Sequence, residues 1–257
     1  MKTAVVVLNW NGQALLQQFL PTLVSFTPED LADLYVIDNG SSDQSISWLA
    51  SNFPQVKLIA LSENNGFAGG YNQGLKHIEA DLYCLLNSDV AVTQDWLIPV
   101  LSHFKAHPDT AIAQPKILDY LNNQLFEYAG AAGGFIDALG FPYCRGRIFQ
   151  TIEQDLGQYD DDCPVFWATG ACFFIRSSVF HTLGGFDESY FAHQEEVDLC
   201  WRAQKHGFRV MALGGAHVYH LGGSTLSNMN PKKTFLNFRN SLYSLVKNHP
   251  PRRALFS

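Results

Sequence analysis

Short apolar runs alternate with amphipathic stretches through the first half of the chain. Thr3–Leu8, Leu34–Asp38, Val56–Leu61 and Leu82–Leu86 are brief and almost continuously apolar, as strands covered on both faces are. Between them, Gln13–Ser25, Gln44–Asn52 and Ala68–Ile78 read as helices, and Gln94–His107 follows with a kink expected at Pro99. Such alternation predicts an α/β domain with parallel strands and right-handed crossovers. The pattern dissolves over residues 119–163, where loops and an antiparallel hairpin are expected, with Asp160-Asp161-Asp162 as a solvated loop. Val165–Ile175 then reads as a strand broken at Gly170. Ser177–Leu183 reads as a short helix capped by Ser177, and Glu195–His206 as a helix stopped by Gly207. Val210–Leu213 and Ala216–His220 read as two short strands. Lys232–Lys247 is amphipathic, with Phe235, Phe238, Leu242 and Leu245 on one side. The simplest division is one domain over residues 1–228 and a basic amphipathic appendage over 229–257.

Polar clusters follow the apolar runs at their carboxyl ends: Asn9-Trp10-Asn11-Gly12, Asp38-Asn39-Gly40-Ser41-Ser42-Asp43, Asn64-Asn65-Gly66 and Asn87-Ser88-Asp89. If the strands are parallel, these clusters share one edge of the sheet, where open α/β folds bind ligands. Asp38 there can accept hydrogen bonds from a ribose or a base, or simply turn the chain. The glycine-rich start at Gly66 suits close approach of an anion to a helix N-terminus. Asp89 fits the economy of magnesium, which takes one or two carboxylates and completes its shell with phosphate. In Glu195-Glu196-Val197-Asp198, Asp198 and Arg202 are spaced to pair along one helix face, with Glu195 on their side. Glu196 is turned about 100° from Glu195. His217 and His220 face opposite sides of a strand, and His220 precedes the glycine-containing Leu221-Gly222-Gly223-Ser224.

Composition narrows the classes. At 47% apolar and 16% charged, the 257 residues form a globular core, and no run approaches the roughly 20 apolar residues of a membrane span. The start enters a strand at once, which reads against a signal peptide and for a cytoplasmic chain. Five cysteines without a C-x-x-C pair read as buried free thiols. All 24 acids lie at or before Asp198, whereas nine of the 17 bases lie after it. Such a tail seeks an anionic partner: a membrane face, a diphosphate or an acidic surface of its own domain. Nucleic acid is not expected, since no binding motif accompanies the charge.

The blocks VVVLNWNG, VIDNGSSD, NNGFAGGYNQG, LLNSDV, ATGACFFIR, GGFDESYF, QEEVDLCWR and YHLGGSTL, in this order and spacing, resemble glycosyltransferase family 2, and within it the rhamnosyltransferase-like branch. The resemblance runs from Val5 to about Lys247. It implies a GT-A fold: a Rossmann-like, mostly parallel sheet flanked by helices, with a small antiparallel element and a C-terminal amphipathic helix. It also implies a nucleoside-diphosphate sugar donor (dTDP- or UDP-linked), Mg2+ or Mn2+, and inversion at the anomeric carbon. By matched positions, Asn9, Trp10 and Asn11 border the nucleotide and Asp38 holds its base or ribose. Asn65 and Gly66 contact nucleotide or phosphate. Asn87-Ser88-Asp89 occupies the family's D-x-D position, with Asn87 and Ser88 beside the donor and Asp89 as metal ligand. Asn87 stands where the first acid is expected. His220 matches a late histidine that reaches metal or diphosphate. Glu195-Glu196 matches an E-D pair whose second acid is the base, here Glu196, with Glu195 as the alternative. The expected acceptor is a glycan or lipid-linked hydroxyl, reached by a cytoplasmic enzyme at the inner face of the membrane, with an anionic lipid surface as partner. A sugar-nucleotidyltransferase would need a basic residue after the first strand, which Asn9-Trp10-Asn11-Gly12-Gln13 lacks. A silent nucleotide-sugar-binding module is the remaining alternative.

Overall fold

The computed structural model describes residues 1–222 and 231–249. Gly223, Ser224, Arg252, Arg253 and the 228/229 boundary lie outside them. The elements run β1 (Thr3–Asn9), α1 (Gln13–Ser25), β2 (Asp33–Asn39), α2 (Ser45–Asn52), β3 (Lys57–Leu61), α3 (Gly66–Gly74), β4 (Leu82–Asn87), β5 (Val90–Val92), α4 (Leu97–Ala106) and β6 (Thr110–Asp119). A small antiparallel sheet follows, made of β7 (Gly134–Ile136), β8 (Pro142–Cys144), β9 (Arg147–Ile148) and β10 (Thr151–Ile152). The chain then forms β11 (Cys163–Pro164), β12 (Cys172–Arg176), α5 (Ser177–Thr182), α6 (Glu195–Lys205), β13 (Arg209–His220) and α7 (Pro231–Asn248).

The main sheet has the order β11-β13-β6-β12-β4-β1-β2-β3, with β5 paired to β13. β4, β1, β2 and β3 are mutually parallel, and β13 is parallel to β6. The short strands β5, β11 and β12 run against their neighbours. This is the mostly parallel sheet and small antiparallel element that the resemblance implies.

Alternation along β1 explains its continuous apolar run. Val5 and Val7 face a core with Leu16, Leu49 and Leu97 of α1, α2 and α4. Ala4 and Val6 face the opposite core with Tyr71, Val179 and Leu199 of α3, α5 and α6. Each fully buried valine or leucine contributes on the order of 2 kcal/mol.

Several sequence expectations change. β6 went unread, although all but its last residue are buried. Its apolar run is interrupted by Gln114-Pro115-Lys116, and each polar group is satisfied inside. Gln114 accepts from the Thr169 N–H and donates to Pro115 and Gly130 carbonyls. Lys116 pairs with Asp155 at 2.8 Å and Asp160 at 2.5 Å. Asp160 and Asp162 are thus paired, the latter with His103 at 2.8 Å. Pro99 sits in the first turn of α4, where its missing N–H removes no intrahelical bond, and the interior proline is Pro21 of α1. Ser177 does not cap α5; Arg176 holds that position and Ser177 donates to the Asp81 carbonyl. Val165–Ile175 is a strand only from Cys172 onward. The two late strands are one, β13, with a register shift between Leu213 and His217. Gly214 within that shift lies against the Asp160 backbone, where a Cβ would come within 2.2 Å.

α7 inverts the expectation for an amphipathic helix. Its buried positions are Leu236, Asn240, Ser244 and Asn248, whereas Phe235, Phe238, Leu242 and Val246 are exposed. Among the described residues no helix is long and apolar enough to cross a membrane.

The enclosed Lys116 makes a sharp stability test. Lys116→Ala leaves the enclosed Asp155 carboxylate without its cation and is expected to destabilise by about 3 kcal/mol in denaturant unfolding. Lys57→Ala, which breaks the exposed Lys57–Asp33 pair at 2.9 Å, is expected to change stability by less than about 1 kcal/mol.

Candidate active site

Register places the polar clusters in one row. Leu8 pairs with Asn87 and Asn9 pairs with Asp38, so the carboxyl ends of β4, β1 and β2 lie side by side. Asp38 is 1% exposed. One oxygen accepts from the Asn9 amide at 2.9 Å and the other from the Ser41 N–H at 2.9 Å. The turn-forming role is therefore directly visible. Asn11 accepts from the Ser42 and Asp43 N–H groups, and its own N–H donates to the Ser41 hydroxyl, locking the two loops together. Trp10 projects from this junction with about half of its surface open.

Asn39, which the sequence analysis did not single out, organises the next loop. It is 2% exposed, donates to Asn64 Oδ1 and the Gly66 carbonyl, and accepts from the Asn65 N–H. Its signal was its place at the end of a buried strand before Gly40. The start of α3 differs from the anion site expected there. Phe67 N–H donates to the Phe191 carbonyl at 2.8 Å, and Ala68 N–H points to the same oxygen at 3.4 Å. Gly66, at φ 70°, leaves room for Phe191; a Cβ would come within 2.6 Å of that carbonyl oxygen. The glycine serves a close chain crossing.

At the other side of the row, Asn87 and Ser88 are partly exposed and Asp89 is buried. His220 reaches this corner from β13. Its Nε2 lies 3.2 Å from Asp89 Oδ1 and 3.4 Å from the Asn87 amide nitrogen. Its Nδ1 is shielded from solvent and 3.6 Å from Glu127 Oε1, close enough for attraction but too long for a hydrogen bond. Burial opposes a charge on the ring, yet Asp89 and Glu127 outweigh it and hold the imidazole proton up to about 10. Glu127 was not anticipated, because it lies in the stretch read as loops. Its other oxygen accepts from the Ala129 N–H.

Among the described residues no three His, Cys, Asp or Glu side chains form a metal cage. A carboxylate and an imidazole at 3.2 Å, beside an amide on the same rim, nevertheless fit a divalent ion that displaces the proton held on the ring and takes its remaining ligands from phosphate and water. His217 projects elsewhere, toward Tyr219 on its own strand face, as strand alternation requires.

Glu195 and Glu196 begin α6. Glu195 is 4% exposed and Glu196 is partly exposed, and one oxygen of each is shielded without a hydrogen-bond partner. Burial and the adjacent Glu196 push Glu195 well above the usual carboxylate range. Burial pushes Glu196 up to about 7, against the lowering effect of hydrogen bonds from nearby backbone and Glu195. Asp198 and Arg202 make the expected pair at 2.8 Å.

The turn before α6 is strained. Phe191, His193 and Gln194 have φ of 62°, 71° and 73°, each costing on the order of 1 kcal/mol for a residue with a side chain. Phe191 is the centre of a γ-turn in which Ala192 N–H donates to the Tyr190 carbonyl at 2.7 Å. Through Phe191 this turn touches the start of α3. From α6, Cys200 Sγ accepts from the Ala168 N–H at 3.5 Å, and further along that segment the Ala171 carbonyl accepts from the Asn87 N–H. The segment carrying the base candidates therefore connects to the Asn65–Gly66 loop through the Phe191 carbonyl and to the Asn87–Asp89 loop through the Cys200 thiol and the Ala168–Ala171 segment.

Residues 4–184 match the family model described as Glycosyl transferase family 2. The chain is 26% identical over 232 residues to an N-acetylglucosaminyl-diphospho-decaprenol L-rhamnosyltransferase of Mycobacterium tuberculosis, covering 84% of this chain and 75% of the relative. It is 23% identical over 214 residues to the low-salt glycan biosynthesis hexosyltransferase Agl10 of Haloferax volcanii, covering 80% and 63%. Among solved structures, GalNAc-T7 with UDP, GalNAc and Mn2+ superposes with a TM-score of 0.73 at 15% identity, over 96% of this chain and 48% of that one. The mannosyltransferase PcManGT from Pyrobaculum calidifontis, in complex with GDP-Man and Mn2+, gives 0.67 at 15% identity, over 95% and 63%. At that identity the structures speak for the fold, which is GT-A. With most of its length inside the family model and the strand-end clusters gathered on one rim, the chain belongs to glycosyltransferase family 2.

Proposed function

We propose that this glycosyltransferase moves a sugar from a nucleoside-diphosphate donor to a hydroxyl of a glycan or lipid-linked acceptor, with inversion. The observation that carries the reading is a shared rim. Asn87, Asn9 and Asp38 stand in one row there, and the turn into Glu196 packs on the loop beside them. Asn9, Trp10, Asn11 and Asp38 border the nucleoside, and Asn65, Asn87 and Ser88 border the diphosphate. Asp89 and His220 would hold Mg2+ or Mn2+ with the phosphates, which supplies a Lewis acid for the charge growing on the leaving diphosphate. The Mn2+ in the two solved complexes supports a divalent ion. Uridine and thymidine diphosphate sugars are the first donors to test.

Glu196 takes the proton from the acceptor hydroxyl as that oxygen attacks the anomeric carbon. Its partial exposure and pKa of about 7 suit a base that must be ionised near neutrality. Glu195 beside it is enclosed and is itself pushed well above the usual carboxylate range. A single in-line displacement inverts the centre without an enzyme nucleophile.

The decaprenol-linked acceptor in the name of the Mycobacterium tuberculosis relative supports a lipid-linked acceptor here. The outward stripe of Phe235, Phe238, Leu242 and Val246 supports contact of α7 with a bilayer. Arg239 and Lys247 are engaged inward, with the Ser189 and Tyr190 carbonyls and with Asp187 and Asp198. Apolar insertion rather than charge would then dominate.

In a thermal-shift panel, UDP- or dTDP-sugars are expected to raise Tm more with Mg2+ or Mn2+ than without; no shift from any sugar nucleotide would refute the donor assignment. Glu196→Gln is expected to retain donor affinity and lose about 10²–10⁴-fold in transfer rate, and unchanged turnover would refute the base. The acid limb of kcat is expected near pH 7, activity rising with pH as Glu196 ionises. The unfolded glutamate loses its proton near 4.5, so stability falls as pH rises from there to about 7; Glu196→Gln is expected to flatten that slope. In flotation with vesicles, recruitment is expected to survive raised salt and to be lost in Phe238→Ser/Leu242→Ser. Absence of the wild-type protein from the floated fraction would remove the bilayer contact.

A further inference from the structure

α7 docks through its polar side, and the bonds it makes concentrate on the segment carrying the two glutamates. Asn240 is 0% exposed. Its amide nitrogen lies 3.1 Å from the Tyr190 carbonyl, 2.9 Å from Ala192 and 2.6 Å from His193. With three acceptors around it, that atom must be the NH2 group. The amide oxygen accepts from Arg239 Nε at 2.9 Å, and the same guanidinium donates to the Ser189 and Tyr190 carbonyls. The Tyr190 hydroxyl meets the Ser244 hydroxyl at 2.9 Å. Past the glutamates, Asn248 donates to Asp198 Oδ1 at 2.8 Å and Lys247 to Asp198 Oδ2 at 2.9 Å. The helix therefore grips the chain on both sides of Glu195 and Glu196.

What lies between the grips is the γ-turn at Phe191 and the left-handed His193 and Gln194. A turn of non-glycine residues at positive φ persists only where its surroundings over-determine it. The three carbonyls bound by Asn240 belong to that turn and the residue before it. Phe191, held within it, is also the residue whose carbonyl accepts from the start of α3 and whose ring fills the space at Gly66.

We propose that Asn240 is a positioning residue for transfer: by holding the Tyr190, Ala192 and His193 carbonyls it sets where α6 begins, and so the direction of the Glu196 carboxylate relative to the donor side of the rim. This rests on Glu196 as the base. A base displaced by about 1 Å loses on the order of 10²-fold in rate, with little effect on a donor held by other loops.

The test uses the full chain and, as probe, whichever UDP-, GDP- or dTDP-sugar raises Tm most, with its turnover followed to water or an added acceptor. Asn240→Ala is expected to lower kcat by tenfold or more, leave KM for the sugar nucleotide within about twofold, and speed hydrogen exchange at amides 190–197. Ser241→Ala, one position away, with a hydroxyl that donates to the Asn237 carbonyl of its own helix, is expected to match the wild type. If Asn240→Ala fails to fold, Asn240→Ser, which retains one donor, carries the same readouts and is expected to keep an intermediate kcat. The deciding measurement is the double variant. Adding Asn240→Ala to Glu196→Gln is expected to cause no further loss, because the first change acts through the second residue. Multiplicative losses in the double variant, or wild-type kcat in folded Asn240→Ala, would overturn the positioning role while leaving the base intact. Full activity of Glu196→Gln alone would instead overturn the base assignment and this proposal with it.

Discussion

The rim depends on β1 being buried on both faces while hydrogen-bonded in parallel to β2 and β4. Neither neighbour can slip by one residue, since a slip would turn every side chain to the opposite core. The pairings Leu8–Asn87 and Asn9–Asp38 are therefore held by the packing of Val5, Val6 and Val7. Polar residues just past those valines have one place to go, the open carboxyl edge. Asp38 binding Asn9 and Ser41, and Asn39 binding the loop at Gly66, then close the gaps between adjacent strand ends.

Buried polar groups do comparable work where the sheet widens. β6 carries Gln114, Pro115 and Lys116 through the interior, and the polar Gln114 and Lys116 are tolerated because segments that cross the strand supply the Gly130 carbonyl, the Thr169 N–H, Asp155 and Asp160. Those same loops bring Glu127 to His220 and the Ala168–Ala171 segment to Asn87 and Cys200. The region without periodicity thus joins the Asp89–His220 corner to α6.

α7 adds a third kind of constraint. A surface helix ordinarily hides its apolar stripe. Here Asn240, Ser244 and Asn248 face inward, matched to carbonyls, a hydroxyl and a carboxylate on the segment from Tyr190 to Asp198. The basic residues that suggested an outside anionic partner are, at Arg239 and Lys247, bound to this segment. Lys247 meets Asp187 and Asp198 of the same chain, and Arg239 meets the Ser189 and Tyr190 carbonyls.

The sequence alone determined the alternation of strands and helices, the parallel half of the sheet, the row of polar strand ends and the Asp198–Arg202 pair. All of these follow from periodicity and from spacing within one element or between neighbouring ones. Tertiary structure decided the rest. Whether Gln114-Pro115-Lys116 is a loop or a buried strand depends on acceptors dozens of residues away. Gly66 looked like a seat for an anion and instead admits Phe191. The outward side of α7 could not be read from its own pattern, because periodicity reports that a helix has two faces but not which one a distant turn, strained at Phe191, His193 and Gln194, requires. Hydrophobic burial has no direction of its own, whereas a set of unmatched carbonyls does, and only the folded chain presents it.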